Sequence, residues 1–158
     1  MERQDDDRAA LLLEFPPDTE AKAIKAFPFV ERVGLELLLS ERGRAVVRLP
    51  FEPNINHVGM MYAGALFTLA EAPGGTLFIS AFDLSRFYPI VGDLNLRFLE
   101  PATTSVLVDA RMTDAEIGRV GAELEESGKS KWVLEQDLVD ERGAVVATSA
   151  ATYFARSF

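Results

Sequence analysis

The sequence predicts an α+β domain in which one buried helix packs against one antiparallel β-sheet. Two observations favour this class: a long apolar segment near the middle of the chain, and strand-like segments on both sides of it. Hairpins and meanders pair their strands antiparallel, so a single antiparallel sheet is expected to hold these strands. At 158 residues, the chain is expected to contain one main domain.

The N-terminal segment, residues 1–32, is expected to be an arm that carries one short helix. Residues 1–17 contain the apolar patch Leu11–Leu13, which would pack on the domain or on a partner subunit, or lie within a partly ordered arm. The short helix is predicted over residues 19–27, after a capping residue and before a proline. Residues 33–158 are then expected to form the single domain.

The β-strands are predicted from hairpin turns and from the alternation of apolar and polar side chains. Glycine-containing turns at residues 41–43 and 140–143 each join two such segments. A second helix is predicted over residues 115–127, where apolar residues recur at helical spacing after a Thr-Asp cap. The predicted strands are residues 33–40, 44–49, 88–98, 106–111, 131–139 and 144–155.

The central apolar segment is predicted to be a buried helix. Turn-forming residues from Asn54 precede it, and from Met60 onward almost all side chains are apolar. Pro73 cannot donate a backbone hydrogen bond, so a kink or break is expected at residues 72–75. The helix is expected to resume there and to end near Asp83.

Composition and motifs exclude several classes of function. The chain has no cysteine, which excludes disulfides and thiolate metal sites and fits a reducing, cytoplasmic compartment. Its net charge of −9 disfavours nucleic acid and anionic membranes as partners. Residues 60–82 are long enough to cross a membrane, but Glu71 and the Pro-Gly-Gly sequence that follows argue against a span. No motif for a metal, a nucleotide or an α/β-hydrolase occurs, so neither metal nor cofactor is expected.

Glu71, at the far end of the apolar run, is the main candidate for a catalytic group. Burying an ionised carboxylate is costly unless it is paired or its pKa rises. At 100° per residue, Gly64 and Glu71 lie about 20° apart on one helix face, with Phe67 nearby. The free N–H groups of the first helical turn, near Tyr62 to Gly64, could hold the oxyanion of an acyl-transfer intermediate. Glu71 would then act as general base on a water or as nucleophile on the carbonyl.

Three segments also carry a resemblance to a known family. The first reads Asn56-His57-x-Gly59-x-x-x-x-Gly64-x-x-Phe67-x-Leu69-Ala70-Glu71, and the others are residues 92–102 and 143–154. In this order they resemble the central helix, the next strand and the closing strand of hotdog-fold thioesterases, either of the phenylacetate-pathway (PaaI-like) type or of a less characterised thioesterase-like branch. The resemblance extends over about residues 33–154.

The resemblance implies a hotdog fold, in which an antiparallel sheet wraps around a long central helix. It implies a homodimer or a tetramer with sites at the subunit interface, and hydrolysis of an acyl-CoA or a related thioester. By position, Glu71 matches the catalytic carboxylate and Asn56 the polar residue near the thioester carbonyl. The oxyanion donor would be the backbone of Ala63 or Gly64. The candidate substrate-binding residues are His57, Gly59, Tyr62 and Phe67.

Besides Pro73, which falls just past the carboxylate, three positions depart from the family pattern. Met60 stands where Ser or Thr is common, Tyr62 where His is frequent, and Ala63 where a second Gly is usual. A backbone donor survives the replacement of Gly by Ala, so the oxyanion site is retained. The other two changes bear on the substrate and on the efficiency of the reaction.

Other interpretations of the same residues stay open. Glu71 would otherwise be a structural carboxylate bonded to backbone or to a partner's arginine. Asn56 would cap the turn instead of, or as well as, contacting a ligand, and His57 would be a helix-entry residue bonded to backbone. The alternative function is a non-catalytic hotdog module that binds an acyl chain or an acyl-CoA. A dehydratase ranks lower, because such enzymes commonly use a histidine and the chain has only one.

Overall fold

One antiparallel sheet and one long helix dominate the structure. The computed structural model of the protein describes residues 2–158, with side chains from residue 6 onward. Within that range, the sheet has seven strands in the order β1-β2-β3-β5-β6-β7-β4. The strands are β1 Lys22–Ala23, β2 Glu36–Glu41, β3 Arg44–Leu49, β4 Phe87–Phe98, β5 Val106–Arg111, β6 Lys129–Asp140 and β7 Val145–Ser157. The helices are α1 Glu2–Glu14, α2 Pro28–Val33, α3 Ala63–Ala81 and α4 Asp114–Ser127.

Helix α3 lies across one face of the sheet, here called the inner face. It buries Leu69, Leu77 and Phe78 completely, in one cluster with inner-face side chains of most strands. Phe78 stacks on Trp132 with ring centroids 5.6 Å apart, and Trp132 stacks on Tyr153 at 5.2 Å. Aromatic stacks of this kind add about 0.5–1.5 kcal/mol beyond the area that they bury. The helix is therefore fixed against β6 and β7 along its second half.

Helix α1 covers part of the opposite, outer face. Leu11 and Phe15 pack in a second cluster with Val46 of β3 and Leu107 of β5. These strand residues alternate with the inner-face residues, so they point away from α3. Arg44 lies in the same region, and its guanidinium bonds Glu14 of α1 at 2.8 Å and Asp109 of β5 at 3.0 Å. Leu11 and Leu12 of the predicted apolar patch thus pack on the domain, whereas Leu13 is 83% exposed.

Helix α4 forms between β5 and β6 as its sequence predicts. Thr113 caps its N-terminus by accepting a hydrogen bond from the N–H of Glu116, and Gly128 ends it with φ +68°. Ile117, Val120 and Leu124 are buried and join the same core as α3. The apolar stripe of a surface helix accounts for this placement.

The predicted α+β hotdog fold is confirmed, whereas the expected structure of the N-terminal segment is wrong in part. Residues 19–27 are not a helix, because Lys22 and Ala23 pair with β2 as the edge strand β1. Much of the expected arm is helix α1, and Met1 lies outside the described residues. The division of the chain at residue 32 stays a prediction. Within residues 2–158, no helix combines the length and the apolar character needed to cross a membrane.

Helix α3 continues through Pro73, so of the expected kink or break at residues 72–75 the break does not occur. The following residue, Gly74, permits a close contact between the helix and the side chain of Tyr153 in β7. A Cβ atom at Gly74 would lie 2.0 Å from the Tyr153 ring, whereas one at Gly75 would meet no atom within 4 Å. Gly74 is thus a packing glycine, and the helix surface beside Gly75 is open.

We expect Gly74→Ala to destabilise the fold by about 1–3 kcal/mol, the usual cost of overpacking a core. The matched control is Gly118→Ala in α4, where an added Cβ meets no atom within 4 Å. That change should stabilise the protein by about 0.5–1 kcal/mol, because alanine is favoured over glycine inside a helix. Urea denaturation of both variants measures the difference, and equal effects at the two positions would contradict the close contact at Gly74.

Candidate functional site

A tightly bonded loop leads from β3 into α3. Asn54 is buried, and its side-chain amide donates to the carbonyls of Val33 and Pro50, each at 2.8 Å. Its own carbonyl accepts from the N–H of Tyr62 at 2.7 Å. The N–H of Met61 donates to the carbonyl of Ala102 at 2.8 Å. These bonds fix the point at which the chain enters the helix.

Asn56 organises the turn inside this loop. Its side-chain oxygen accepts from the N–H groups of Val58 at 2.9 Å and Met60 at 3.1 Å. Gly59 completes the turn with φ +80°, a conformation that favours glycine. Asn56 therefore caps the turn, and its amide NH₂ forms no hydrogen bond with another residue in the described part of the chain. The hypothesis that this group contacts a ligand stays a prediction.

The first turn of α3 presents two unpaired N–H groups. The residue before the helix, Tyr62, provides no side-chain cap. Its carbonyl accepts from the N–H groups of Ala65 at 3.0 Å and Leu66 at 3.1 Å. The N–H groups of Ala63 and Gly64 have no partner among residues 2–158, and they carry the partial positive charge of the helix start. The N–H of Tyr62 is already bonded to Asn54, so Tyr62 is not a backbone donor.

Glu71 lies on the same exposed stripe of α3 as Ala63, Phe67 and Gly75. These residues follow one another at four-residue spacing, so they lie on adjoining helical turns. Gly64 and Glu71 are about 10 Å apart along the helix axis. A helical side chain leans back toward the N-terminus of its helix, which directs the Glu71 carboxyl toward Phe67. The stripe thus combines free N–H groups at one end with a carboxyl group near its middle.

Glu71 has the environment that the sequence predicts for it. It is partly buried, and this burial raises the pKa of its carboxyl group above the usual range. It forms no ion pair or side-chain hydrogen bond with any residue that the structure describes. The interpretation of Glu71 as a structural carboxylate bonded within its own chain is therefore disfavoured. Glu71 would still be a structural residue if it formed an ion pair with an arginine of a partner subunit.

The remaining predicted site residues lie around the helix start. Tyr62 and Phe67 are exposed, at 60% and 46%, which is unusual for aromatic side chains of a core helix. The Tyr62 ring lies against the α-carbon of Gly64, where a Cβ would be 2.5 Å away. His57 is exposed in the turn, without a hydrogen bond to another residue of the described chain. The structure thus groups Tyr62, Gly64, Phe67 and Glu71 on one face, and leaves His57 at the loop surface.

Sequence analysis missed three polar residues that position the site. Asn54 holds the loop, and two residues of the sheet bond to the helix turn that contains Glu71. Gln136 donates to the carbonyl of Ala70 at 2.9 Å, and Tyr153 donates to the carbonyl of Glu71 at 2.6 Å. One signal in the sequence could have revealed Gln136. It stands in β6 where alternate residues face the core, and its neighbours in that series, Leu134 and Leu138, are apolar.

A cavity of about 960 Å³ lies on the outer face beside α1, away from the predicted site residues. Its walls are polar and carry both signs of charge. They include Glu14, Arg44, Arg97, Asp109, Glu135 and Asp137. Among the side chains that the structure describes, from residue 6 onward, no group of three or more His, Asp or Glu is arranged to hold a metal ion.

Comparison with known families identifies the chain. A family described as a domain of unknown function, DUF4442, matches residues 20–154. The chain belongs to this family. A search of curated proteins gave no match.

Solved structures similar to this DUF4442 protein place it in the hotdog-fold thioesterase superfamily, as the resemblance predicted. A Pseudomonas aeruginosa protein of unknown function, named "Probable Thioesterase", has 48% identity and a TM-score of 0.80, over 85% of this chain and 90% of its own. A Haemophilus influenzae thioesterase has 15% identity and a TM-score of 0.66, over 84% and 85%. A Streptococcus mutans protein bound to acetyl-CoA has 18% identity and a TM-score of 0.61, over 85% and 94%. The last two show the fold alone.

The raised pKa of Glu71 has a consequence for stability. The pKa of Glu71 is higher in the folded protein than in the unfolded chain, so ionisation of its carboxyl group destabilises the fold. This destabilisation is absent below the unfolded pKa and complete above the folded pKa. We therefore expect Glu71→Gln to stabilise the protein relative to the natural chain increasingly as pH rises from about 4 to 7. Thermal unfolding of both proteins across this range measures the difference. If the difference in stability between the two proteins does not change with pH, the pKa of Glu71 is not raised by folding.

Proposed function

We propose that this DUF4442 protein hydrolyses an acyl-CoA or a related acyl thioester. The observation that carries the proposal is the exposed stripe of α3. It joins two unpaired N–H groups, those of Ala63 and Gly64, to an unpaired, partly buried carboxyl group at Glu71. The 48% identical Pseudomonas aeruginosa protein named "Probable Thioesterase" supports the same class of reaction.

In the proposed reaction, the thioester carbonyl oxygen lies against the N–H groups of Ala63 and Gly64. Glu71 takes a proton from a water molecule, whose oxygen attacks the carbonyl carbon. The resulting oxyanion is stabilised by the two N–H groups, and its collapse breaks the C–S bond. The thiolate leaves and recovers a proton, giving a carboxylic acid and a thiol. Direct attack by Glu71 would use the same oxyanion site, with water hydrolysing the anhydride that forms.

The surroundings of Glu71 favour its role as a base. A carboxyl group with its ordinary pKa is a weak base at neutral pH, and partial burial raises the pKa of Glu71 toward the range in which proton transfer is efficient. The stripe beside Glu71 is apolar, with Phe67 on one side and the open surface of Gly75 on the other. This surface suits an uncharged acyl group better than a charged one.

Coenzyme A is the thiol carrier that we propose. The similar Streptococcus mutans structure contains acetyl-CoA. The chain's net charge of −9 makes nucleic acid an unsuitable partner, and the absence of cysteine fits a cytoplasmic location.

We also propose that two copies form a dimer through strand β4. This strand lies at one end of the sheet and runs for 12 residues, long for an unpaired edge. It exposes Ile90 at 54% and Phe98 at 53%. Natural sheets shorten or charge their exposed edges, so a long edge with exposed apolar side chains is typical of an interface. Pairing of two β4 strands would bring the exposed stripe of α3 close to the partner and put the site at the interface.

Replacement of Glu71 by glutamine tests the catalytic proposal. We expect Glu71→Gln to lower kcat for acyl-CoA hydrolysis by about 10²–10⁴-fold, the usual contribution of a general base. Glu126→Gln, on the exposed face of α4, is the matched control and should leave kcat unchanged. Thiol release from a panel of acyl-CoAs provides the measurement. Equal rates for Glu71→Gln and the natural protein would end the catalytic proposal, and tight binding without turnover would favour the non-catalytic alternative.

Charged substitutions on β4 test the dimer. The double change Ile90→Asp with Phe98→Asp places like charges along the proposed interface, so we expect the protein to sediment as a monomer. Val133→Asp is the control, because Val133 is similarly exposed at 56% but lies on the interior strand β6. Sedimentation velocity distinguishes the outcomes. A natural protein that is monomeric at micromolar concentration would contradict the proposal directly.

A further inference from the structure

Pro73 lies inside α3, two residues after Glu71. Proline has no N–H, so the carbonyl of Leu69 has no helical donor four residues later. The proline ring also crowds that carbonyl, which weakens the helical turn spanning residues 69–73. Glu71 is in the middle of this turn. The carboxyl group on which the proposed reaction depends is therefore attached to a turn that lacks one backbone hydrogen bond.

Two side chains from the sheet bond to the backbone of this same turn. Gln136 of β6 donates to the carbonyl of Ala70 at 2.9 Å, and Tyr153 of β7 donates to the carbonyl of Glu71 at 2.6 Å. Both side chains are almost fully buried. The two carbonyls belong to consecutive residues, so the two bonds hold the turn at adjacent points from the core side.

The two donors are themselves held in place. Gln136 also bonds the hydroxyl oxygen of Ser149 at 3.2 Å. The ring of Tyr153 is stacked on Trp132 and lies directly on Gly74, where a Cβ would be 2.0 Å away. A hydrogen-bond donor that cannot move restricts the position of the carbonyl group to which it bonds. Two fixed donors on β6 and β7 thus define where the backbone of Glu71 lies.

We propose that Gln136 and Tyr153 are positioning residues for Glu71, which hold its helical turn in place where Pro73 removes a backbone hydrogen bond. This inference rests on the proposed function of Glu71. Neither side chain contacts the reacting atoms in this arrangement. They hold the backbone of Glu71, and the position of the backbone determines where its carboxyl group lies.

The consequence for the reaction is geometric. A carboxyl group placed on a loosened turn would lie farther from the attacking water and would be more exposed to solvent. A displacement of about 1 Å can reduce the rate on the order of a hundredfold. Because burial raises the pKa of Glu71, greater exposure would lower that pKa toward its ordinary value. The titratable group that faces Glu71 is Tyr153, whose own pKa is raised, first by burial and then by the charge of Glu71. Its phenol stays neutral while Glu71 titrates.

The test uses Tyr153→Phe and Gln136→Met, which remove the donors and retain most of the side-chain volume. We expect each to lower kcat on the order of tenfold to a hundredfold with KM within about twofold. The acidic limb of the pH–rate profile should shift to lower pH, because the Glu71 carboxyl becomes more exposed. The control is Ser80→Ala, which removes a side-chain bond to the carbonyl of Leu77 on the last turns of α3 and should change neither quantity.

The same donor variant, made in a protein that also carries Pro73→Ala, tests whether the positioning role depends on Pro73. Pro73→Ala restores the N–H that the carbonyl of Leu69 lacks, so the turn no longer depends on the sheet. Tyr153→Phe should therefore lower kcat by less than about threefold when combined with Pro73→Ala. The same loss in both backgrounds would overturn the role assigned to Pro73. An unchanged kcat and pH profile in both donor variants would overturn the positioning role altogether.

Hydrogen–deuterium exchange separates this inference from the proposed function, because it needs no activity. Amide exchange in residues 71–76 should become several-fold faster in Tyr153→Phe and Gln136→Met, and should stay unchanged in Ser80→Ala. If the natural protein hydrolyses no thioester but exchange still changes, the proposed function fails and the support of the turn stands. If Glu71→Gln abolishes activity but the donor variants behave like the natural protein in every assay, only the positioning role fails.

Discussion

The contact between α3 and strands β6 and β7 is the constraint on which the rest of the structure depends. Gly74 lets the helix approach the Tyr153 ring, and the stack of Phe78, Trp132 and Tyr153 fills the space beyond it. With one side of α3 fixed in this way, its opposite side must be exposed. Glu71 lies on that side, where an interior location would have required a charged partner. The geometry of the site is thus a consequence of how the core is packed.

The polar groups around α3 divide into bonded and unbonded sets. Asn54 and Asn56 satisfy the loop that precedes the helix, and Gln136 and Tyr153 satisfy carbonyls on its buried side. Within the described residues, the groups without partners on the exposed side of α3 are the N–H groups of Ala63 and Gly64 and the carboxyl group of Glu71; in the core beneath it, Nε1 of Trp132 and Oε1 of Gln136 also lack a partner. Proteins rarely leave partly buried polar groups unbonded. The unbonded groups of Ala63, Gly64 and Glu71 lie where a ligand could reach them, whereas the two unbonded core atoms do not, and this accessibility is the structural argument for a site on that face.

The α+β class could be predicted because the helical and the strand periodicity of apolar residues were both clear, and the hotdog fold because three segments resembled that family. The strand Arg44–Leu49 and the capped helix α4 have the predicted positions, since hairpin glycines and a Thr-Asp cap act locally. Residues 19–27 were misassigned because Lys22 and Ala23 join β2, a pairing that helical propensity does not reveal. The break expected at Pro73 is absent because packing against the sheet holds α3 together. Glu71 could be singled out because a lone carboxylate in an apolar run is conspicuous, whereas Gln136 and Tyr153 act from strands more than 60 residues away.

Helix α1 limits how larger assemblies can be built. Its residue Leu11 and the following Phe15 pack on Val46 and Leu107, and Glu14 forms an ion pair with Arg44, so the helix projects above this part of the sheet. The outer faces of two copies cannot meet flat over the part of the sheet that this helix covers. A contact between two outer faces would therefore have to use the strands that this helix leaves uncovered, or would have to displace the helix.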